Sequence, residues 1–363
     1  MDYRNLFKEK LSKLLFLELN KEGFIKALNI SNLELKNKEL FVPINTTYLA
    51  SNIENEIKIK NLPIYDFIEG MSFALGADDK LKFNEDYITL LKNIKDSIPC
   101  IKSAVAKKIK ENLFDEAYIL LRGLTNVTNE EEVWEKLFLI GETIREQDKG
   151  FTEVFKEDID RYKYLNPNSH KASIYEALIY NDEGNNEKAY VYINEYLNSG
   201  GEPEEYILSL KAELEDTLDY ENGKKLIEGN PKEALKKLIP LLDRFGDNPS
   251  LFYYVALCYR KLENYEKAIY YLNESIAIDS SIVETINEMG INYASLEDFE
   301  NAIKYFRKAF EATRDIEICT NLIMCYLNSG DLKQARLHLE IAEKINKDDE
   351  IVKEIKEYIK RFN

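Results

Sequence analysis

The sequence predicts a mainly α-helical protein, an array of helix-turn-helix repeats preceded by a small α+β domain. Three observations predict it. A pattern of large apolar, small and aromatic residues recurs three times between Phe252 and Leu339, with its alanines (Ala268, Ala302, Ala335) 34 and then 33 residues apart. Within each copy the marked residues fall three or four apart, the spacing of one helix face. Residues 1–96 lack this pattern and instead carry short alternating runs separated by turn formers.

At 363 residues the chain is long enough for two ordinary domains or one extended array. Hydrophobic residues make up 45% and charged residues 32%, a folded rather than disordered composition. The apolar run Leu14–Leu17 is cut by Glu18 and has no small-residue cleavage site after it, so it reads as part of a buried helix face rather than a leader. With no apolar stretch of spanning length, a cytoplasmic location is expected. The net charge of −17 is unevenly spread: residues 1–96 hold 14 basic against 15 acidic side chains, and the rest hold 35 against 51. Such a surface repels phosphate backbones and favours a neutral or basic partner, chiefly through association rate. The four cysteines (Cys100, Cys258, Cys319, Cys325) are scattered without a CxxC pair, as expected of core thiols in a reducing compartment.

From the start, residues 3–19 read as an amphipathic helix. Asn32–Leu35 and Glu39–Ile44, joined by Lys36-Asn37-Lys38, read as a β-hairpin, and Glu56–Lys60 as a short strand. Helices follow over Pro63–Leu75 and Asn84–Ile94, the first with proline near its start. A boundary is expected near Ser97-Ile98-Pro99, giving domains 1–96 and 97–363. Residues 97–248 read as degenerate repeats, with second-helix starts at Ala117, Ala189 and Ala234. The spacing of 45 between the last two calls for a longer first helix or an extra helix between Glu204 and Gly229.

The clear repeats cover about 249–282, 283–315 and 316–348. Their first helices read Phe252-x2-Val255-Ala256-x2-Tyr259, Ile286-x2-Met289-Gly290-x2-Tyr293 and Cys319-x2-Leu322-Ile323-x2-Tyr326. The second helices read Ala268-x3-Leu272, Ala302-x3-Phe306 and Ala335-x3-Leu339. Small residues sit where the two helices of a pair approach, and enlarging them overpacks the pair. Between the halves stand Glu263-Asn264, Glu297-Asp298 and Gly330-Asp331, where Gly or Asn can close a helix in the left-handed conformation. A capping helix is expected over 349–363, with Ile351, Ile355, Tyr358 and Phe362 on its apolar face.

Three copies in phase resemble the tetratricopeptide repeat (TPR), an aromatic, Leu-Gly, Tyr, Ala, Phe series on a 34-residue period. The composition, rich in Lys, Ile, Asn and Tyr, further suggests a bacterial member of low-GC Gram-positive type; the N-terminal domain resembles no family. The resemblance implies a solenoid whose first helices line a concave groove, with ligand contacts just off the aromatic-Leu-Gly-Tyr ridge. Carried onto this chain, those positions are Tyr253, Leu257 and Arg260, then Glu284, Asn287, Glu288 and Ile291, then Glu317, Thr320, Asn321 and Met324. The asparagine amides suit a peptide backbone, the apolar members would form pockets, and the glutamates favour a basic ligand. The family's carboxylate clamp is absent: Tyr253, Leu257, Glu317 and Asn321 stand where Lys, Asn, Lys and Arg would be. The C-terminal helix or the N-terminal domain could instead fill part of this strip.

The expected function is a scaffold or adaptor holding a polypeptide segment, extended and neutral to basic, in the groove. The alternative is a receptor for a small regulatory peptide that signals through the N-terminal domain, as in Gram-positive regulators of similar architecture. No catalytic, cofactor-binding or metal site is expected. Phosphate-binding glycine loops and H-E-x-x-H are absent, and His170 and His338 are too few and too far apart for a triad or metal cluster. Asp78 and Asp79 read as a loop cap, and Glu157, Asp158 and Asp160 as a solvated face. A helix-turn-helix DNA reader is disfavoured by the hairpin and by the lack of a basic recognition helix.

Overall fold

Asp2 opens the first helix by accepting hydrogen bonds from the backbone N–H groups of Arg4 and Asn5. In this computed structural model residues 2–28, 30, 33–45 and 63–361 are described, and they divide into two compact units, 1–207 and 208–363. No helix among the described residues is long and apolar enough to cross a membrane.

In the first unit, helix α1 (Tyr3–Ser12) buries Tyr3, Phe7 and Leu11, one residue per turn. It stops well short of residue 19. The chain turns at Lys13 and Leu14, and Leu15–Glu18 becomes strand β1. Its partner is β2 (Phe41–Ile44), antiparallel, with Leu15 opposite Ile44 and Glu18 opposite Phe41. The expected hairpin is therefore corrected. Residues 33–35 are not a strand, and β2 pairs with the segment that had read as helix. A buried carboxylate supplies a physical reason, because the backbone N–H groups of Lys36 and Asn37 donate to Asp86 at 2.6 and 3.2 Å. Residues 31–32 and the strand expected over 56–60 lie outside the described residues.

Among the described residues of this unit follow α2 (Lys21–Ala27), α3 (Ile64–Ala77), α4 (Asn84–Asn93), α5 (Ser97–Lys110), α6 (Phe114–Leu124), α7 (Glu131–Gln147), α8 (Thr152–Leu165), α9 (Ser173–Asp182) and α10 (Asn186–Asn198). Helices α3 and α6 touch backbone to backbone. A Cβ added at Gly76 would stand 1.8 Å from the Ile119 carbonyl oxygen, and one at Gly123 1.8 Å from that of Ser72. One hydrophobic core runs from Tyr3 to Ile179, with Tyr118, Trp134, Phe151, Phe155 and Tyr162 among its largest members. It crosses residue 97 without a break. Asp158, expected on a solvated face, is buried: its carboxylate accepts from the Tyr118 hydroxyl (2.7 Å) and the Arg122 guanidinium (3.1 Å).

The extra length upstream of the clear repeats is one long helix, α11 (Glu205–Leu226), within which the two units divide. The second unit continues with α12 (Pro231–Leu242) and three helix pairs: α13 (Pro249–Lys261) with α14 (Tyr265–Ile278), α15 (Val283–Ser295) with α16 (Phe299–Thr313), and α17 (Ile316–Asn328) with α18 (Leu332–Asn346). In the turns, Glu263, Glu297 and Gly330 take the positive φ (58°, 61° and 83°). Asn264, Asp298 and Asp331 cap the next helix instead, accepting from the N–H groups of Lys267, Asn301 and Gln334. Two glutamates thus occupy the conformation that glycine or asparagine was expected to take.

Ala268, Ala302 and Ala335 are fully buried, and a Cβ on Gly290 would meet the Phe306 ring at 2.7 Å. Each pair also sets two rings twelve residues apart against each other, stacked in the first two pairs and tilted in the third. Tyr259 lies on Tyr271 (5.4 Å, 4°), Tyr293 on Tyr305 (5.5 Å, 8°) and Tyr326 on His338 (5.1 Å, 35°). In the first unit Tyr180 lies on Tyr192 in the same register (5.4 Å, 3°), so α9 and α10 repeat the arrangement. The last helix, α19 (Glu350–Lys360), buries Val352, Ile355 and Ile359. Ile351 and Tyr358, expected on that face, are half exposed, and Phe362 lies outside the described residues.

Candidate protein-binding groove

Helices α13, α15 and α17 turn their Val255-Ala256, Met289-Gly290 and Leu322-Ile323 ridges inward, where all six residues are buried. The nominated residues lie off this ridge and fall into distinct groups.

Between α13 and α15, Tyr253, Arg260, Glu284 and Glu288 form a polar cluster. Arg260 Nε stands 2.8 Å from Glu288 Oε2, although its N–H is not aimed at that oxygen. Glu288 is only 6% exposed. Burial pushes its carboxyl above the ordinary glutamate range, against the pull of Arg260. The Tyr253 hydroxyl is pushed up to about 12, first by burial and then by the charges of Glu288 and Glu284. Glu284 itself is exposed, and Leu257 is half-buried against the core formed by α12 and α13.

Between α15 and α17, Ile291, Asn321 and Met324 line a cavity of about 270 Å³. Met324 also borders a larger cavity of about 750 Å³ beside α19, with Ile351, Ile355 and Tyr358. The C-terminal helix thus lies along that end of the strip. Glu317 is exposed in the first turn of α17. Thr320 is 4% exposed and its hydroxyl donates to the Glu317 carbonyl at 2.8 Å, so this residue is absorbed into the helix packing.

The strip is rich in acceptors. Asn287 Oδ1, Glu288 Oε2 and Asn292 Oδ1 are buried and accept no hydrogen bond among the described residues. Asn292 was not nominated. It lies one turn beyond Glu288, its amide donates to the Glu288 carbonyl at 2.8 Å, and it is 1% exposed. An asparagine one helical turn from a glutamate was the only sequence signal available for it. A buried acceptor without a donor costs about 1–3 kcal/mol, and of the three only Glu288 Oε2 has a cation beside it among the described residues, the Arg260 guanidinium. Cys258, Cys319 and Cys325 pack in the cores behind the strip, where burial pushes their thiols up to about 11. Among the described residues no cluster of three or more His, Cys, Asp or Glu side chains could hold a metal ion. His170 pairs instead with Glu195 at 2.8 Å, and His338 Nδ1 lies 3.0 Å from the Gln334 carbonyl within its own helix.

Comparison with known proteins gives two family matches, both described as tetratricopeptide repeat, over residues 228–281 and 283–316. No curated protein matches the chain. Solved structures similar to part of it include YrrB, described as a TPR protein with an unusual peptide-binding site, at 19% identity over 55% of this chain and 97% of that one (TM-score 0.40). A crystal structure of MamA is similar at 16% identity over 48% of this chain and 90% of that one (TM-score 0.37).

Proposed function

We propose, for a chain that carries tetratricopeptide repeats and is on that account a protein–protein interaction scaffold, that the strip across α13, α15 and α17 holds an extended polypeptide segment of neutral to basic character. The observation that carries this is the cavity of about 270 Å³ lined by Ile291, Asn321 and Met324, with the exposed carboxylates of Glu284 and Glu317 on the same strip. A peptide strand presents a backbone N–H at every residue except proline, and a basic side chain would reach the exposed Glu284 and Glu317. The cavity formed by Ile291, Asn321 and Met324 is large enough for one apolar side chain, and methionine adapts to varied shapes.

The test is a pull-down from the native host with tagged wild type beside Asn287→Ala/Asn321→Ala/Met324→Ala, partners being read by mass spectrometry. A partner held by wild type and lost by the variant, with circular dichroism unchanged, supports the reading. A full set of partners retained by a folded variant refutes it.

A further inference from the structure

The first unit contains a cavity of about 600 Å³ that owes nothing to the groove residues above. Its walls begin with the sequence. Helix α10 ends at Asn198, and Gly200, at φ 90°, reverses the chain as only glycine does without strain. Gly201 then lies against the Tyr196 ring, where a Cβ would come within 2.4 Å of Cε1. This reversal brings Glu202, Glu204 and Tyr206 to the same cavity as Tyr196. Tyr175, near the start of α9, forms the inner wall. Its ring is fixed by Phe138 (5.3 Å) and Phe155 (5.7 Å).

The three tyrosines lie close enough to influence one another. Tyr175 is pushed up first by burial and then by Tyr206, Glu142, Tyr196 and Glu135, and Tyr206 first by burial and then by Glu204, Tyr196 and Glu142. The charges at the cavity are one-sided. Lys171 is held by Glu135 at 2.5 Å and by Glu131 at 3.5 Å, and His170 faces Glu195 at 2.8 Å. Glu202 and Glu204, both exposed at the mouth, have no ion-pair partner among the described residues. Three tyrosine side chains and unneutralised carboxylates disfavour anions and give a neutral molecule little advantage. A cation gains from both.

We propose that this cavity binds an organic cation, an ammonium or guanidinium head carrying alkyl surface, between Tyr175, Tyr196 and Tyr206 and beside Glu202 and Glu204. The head comes either as a free small molecule or at the end of a polypeptide side chain.

The experiment uses the full chain and ligand-observed NMR with choline, N-acetyl-lysinamide, N-acetyl-argininamide and the neutral choline isostere 3,3-dimethylbutan-1-ol. Binding between tyrosine faces shifts the choline methyl resonance upfield by ring currents and gives saturation transfer. The expected result is binding of at least one cation about tenfold or more tighter than the neutral isostere, weakening with added salt. Tyr206 is 52% exposed, so Tyr206→Ala should fold and should lower that affinity about tenfold, while Tyr206→Phe, which keeps the ring, should retain most of it. Glu204→Gln should weaken binding several-fold. Preference for choline assigns a free alkylammonium, and preference for either amide assigns a polypeptide side chain. No cation binding at millimolar concentration, equal binding of the neutral isostere, or a folded Tyr206→Ala that binds as well as wild type overturns the proposal.

Discussion

Glu288 shows how one residue joins packing to ligand chemistry. Its carboxyl is pushed up by burial, so the folded chain takes a proton there more readily than the unfolded chain does. The sign follows. The ionised form costs stability at neutral pH, and the cost disappears as the pH falls through the folded value to below the unfolded value, near 4.3. Glu288→Gln should therefore melt above wild type at pH 7, and the gap should close by about pH 4. In the variant the amide oxygen can take the carboxylate's place beside Arg260 Nε. Thermal melts of the two proteins at both pH values check this, and an equal gap at both would exclude the carboxylate as its source. The register of Glu288 was legible in the sequence because it sits at a fixed offset from Met289-Gly290. The burial of Thr320 was not, because its hydroxyl could find a carbonyl in its own helix as readily as a ligand.

At the level of elements, what could be read was what repeats. The pairs from α13 to α18 follow from spacings of three, four and about 34, which local periodicity makes visible. The β1–β2 sheet was hidden for the opposite reason. The run Leu14–Leu17 is apolar enough for a helix face or a strand, and only a partner some 26 residues away decides between them. The buried face of the last helix was read about one position out of phase, since apolar residues stand on both of its edges. The contact between α3 and α6 was likewise invisible, because a glycine announces freedom and not a neighbour. Gly123→Ala should cost about 3 kcal/mol or more, since the new methyl collides with the Ser72 carbonyl and the backbone must move. Urea unfolding checks this, and a loss under about 1 kcal/mol would show that the two helices separate easily.

Across the whole molecule, the charge of −17 bears on kinetics more than on the fold. A basic peptide that binds the strip should associate more slowly as salt rises, by about tenfold between 20 and 200 mM, with a smaller change in dissociation. Stopped-flow mixing measures both rates, and a salt-independent association rate would remove long-range attraction from the account. The one tryptophan has a further use. Trp134 is completely buried in the first unit, with its indole N–H donating to Asn129 at 2.8 Å, and the second unit has no tryptophan at all. Its emission is therefore a private optical signal of residues 1–207, whereas the amide circular dichroism of the helices reports on the entire chain. If the two signals change together during denaturation, the protein melts as one cooperative body. If the emission shifts at a different denaturant concentration, the two units lose structure in separate steps, and the native chain reports the order without any added label.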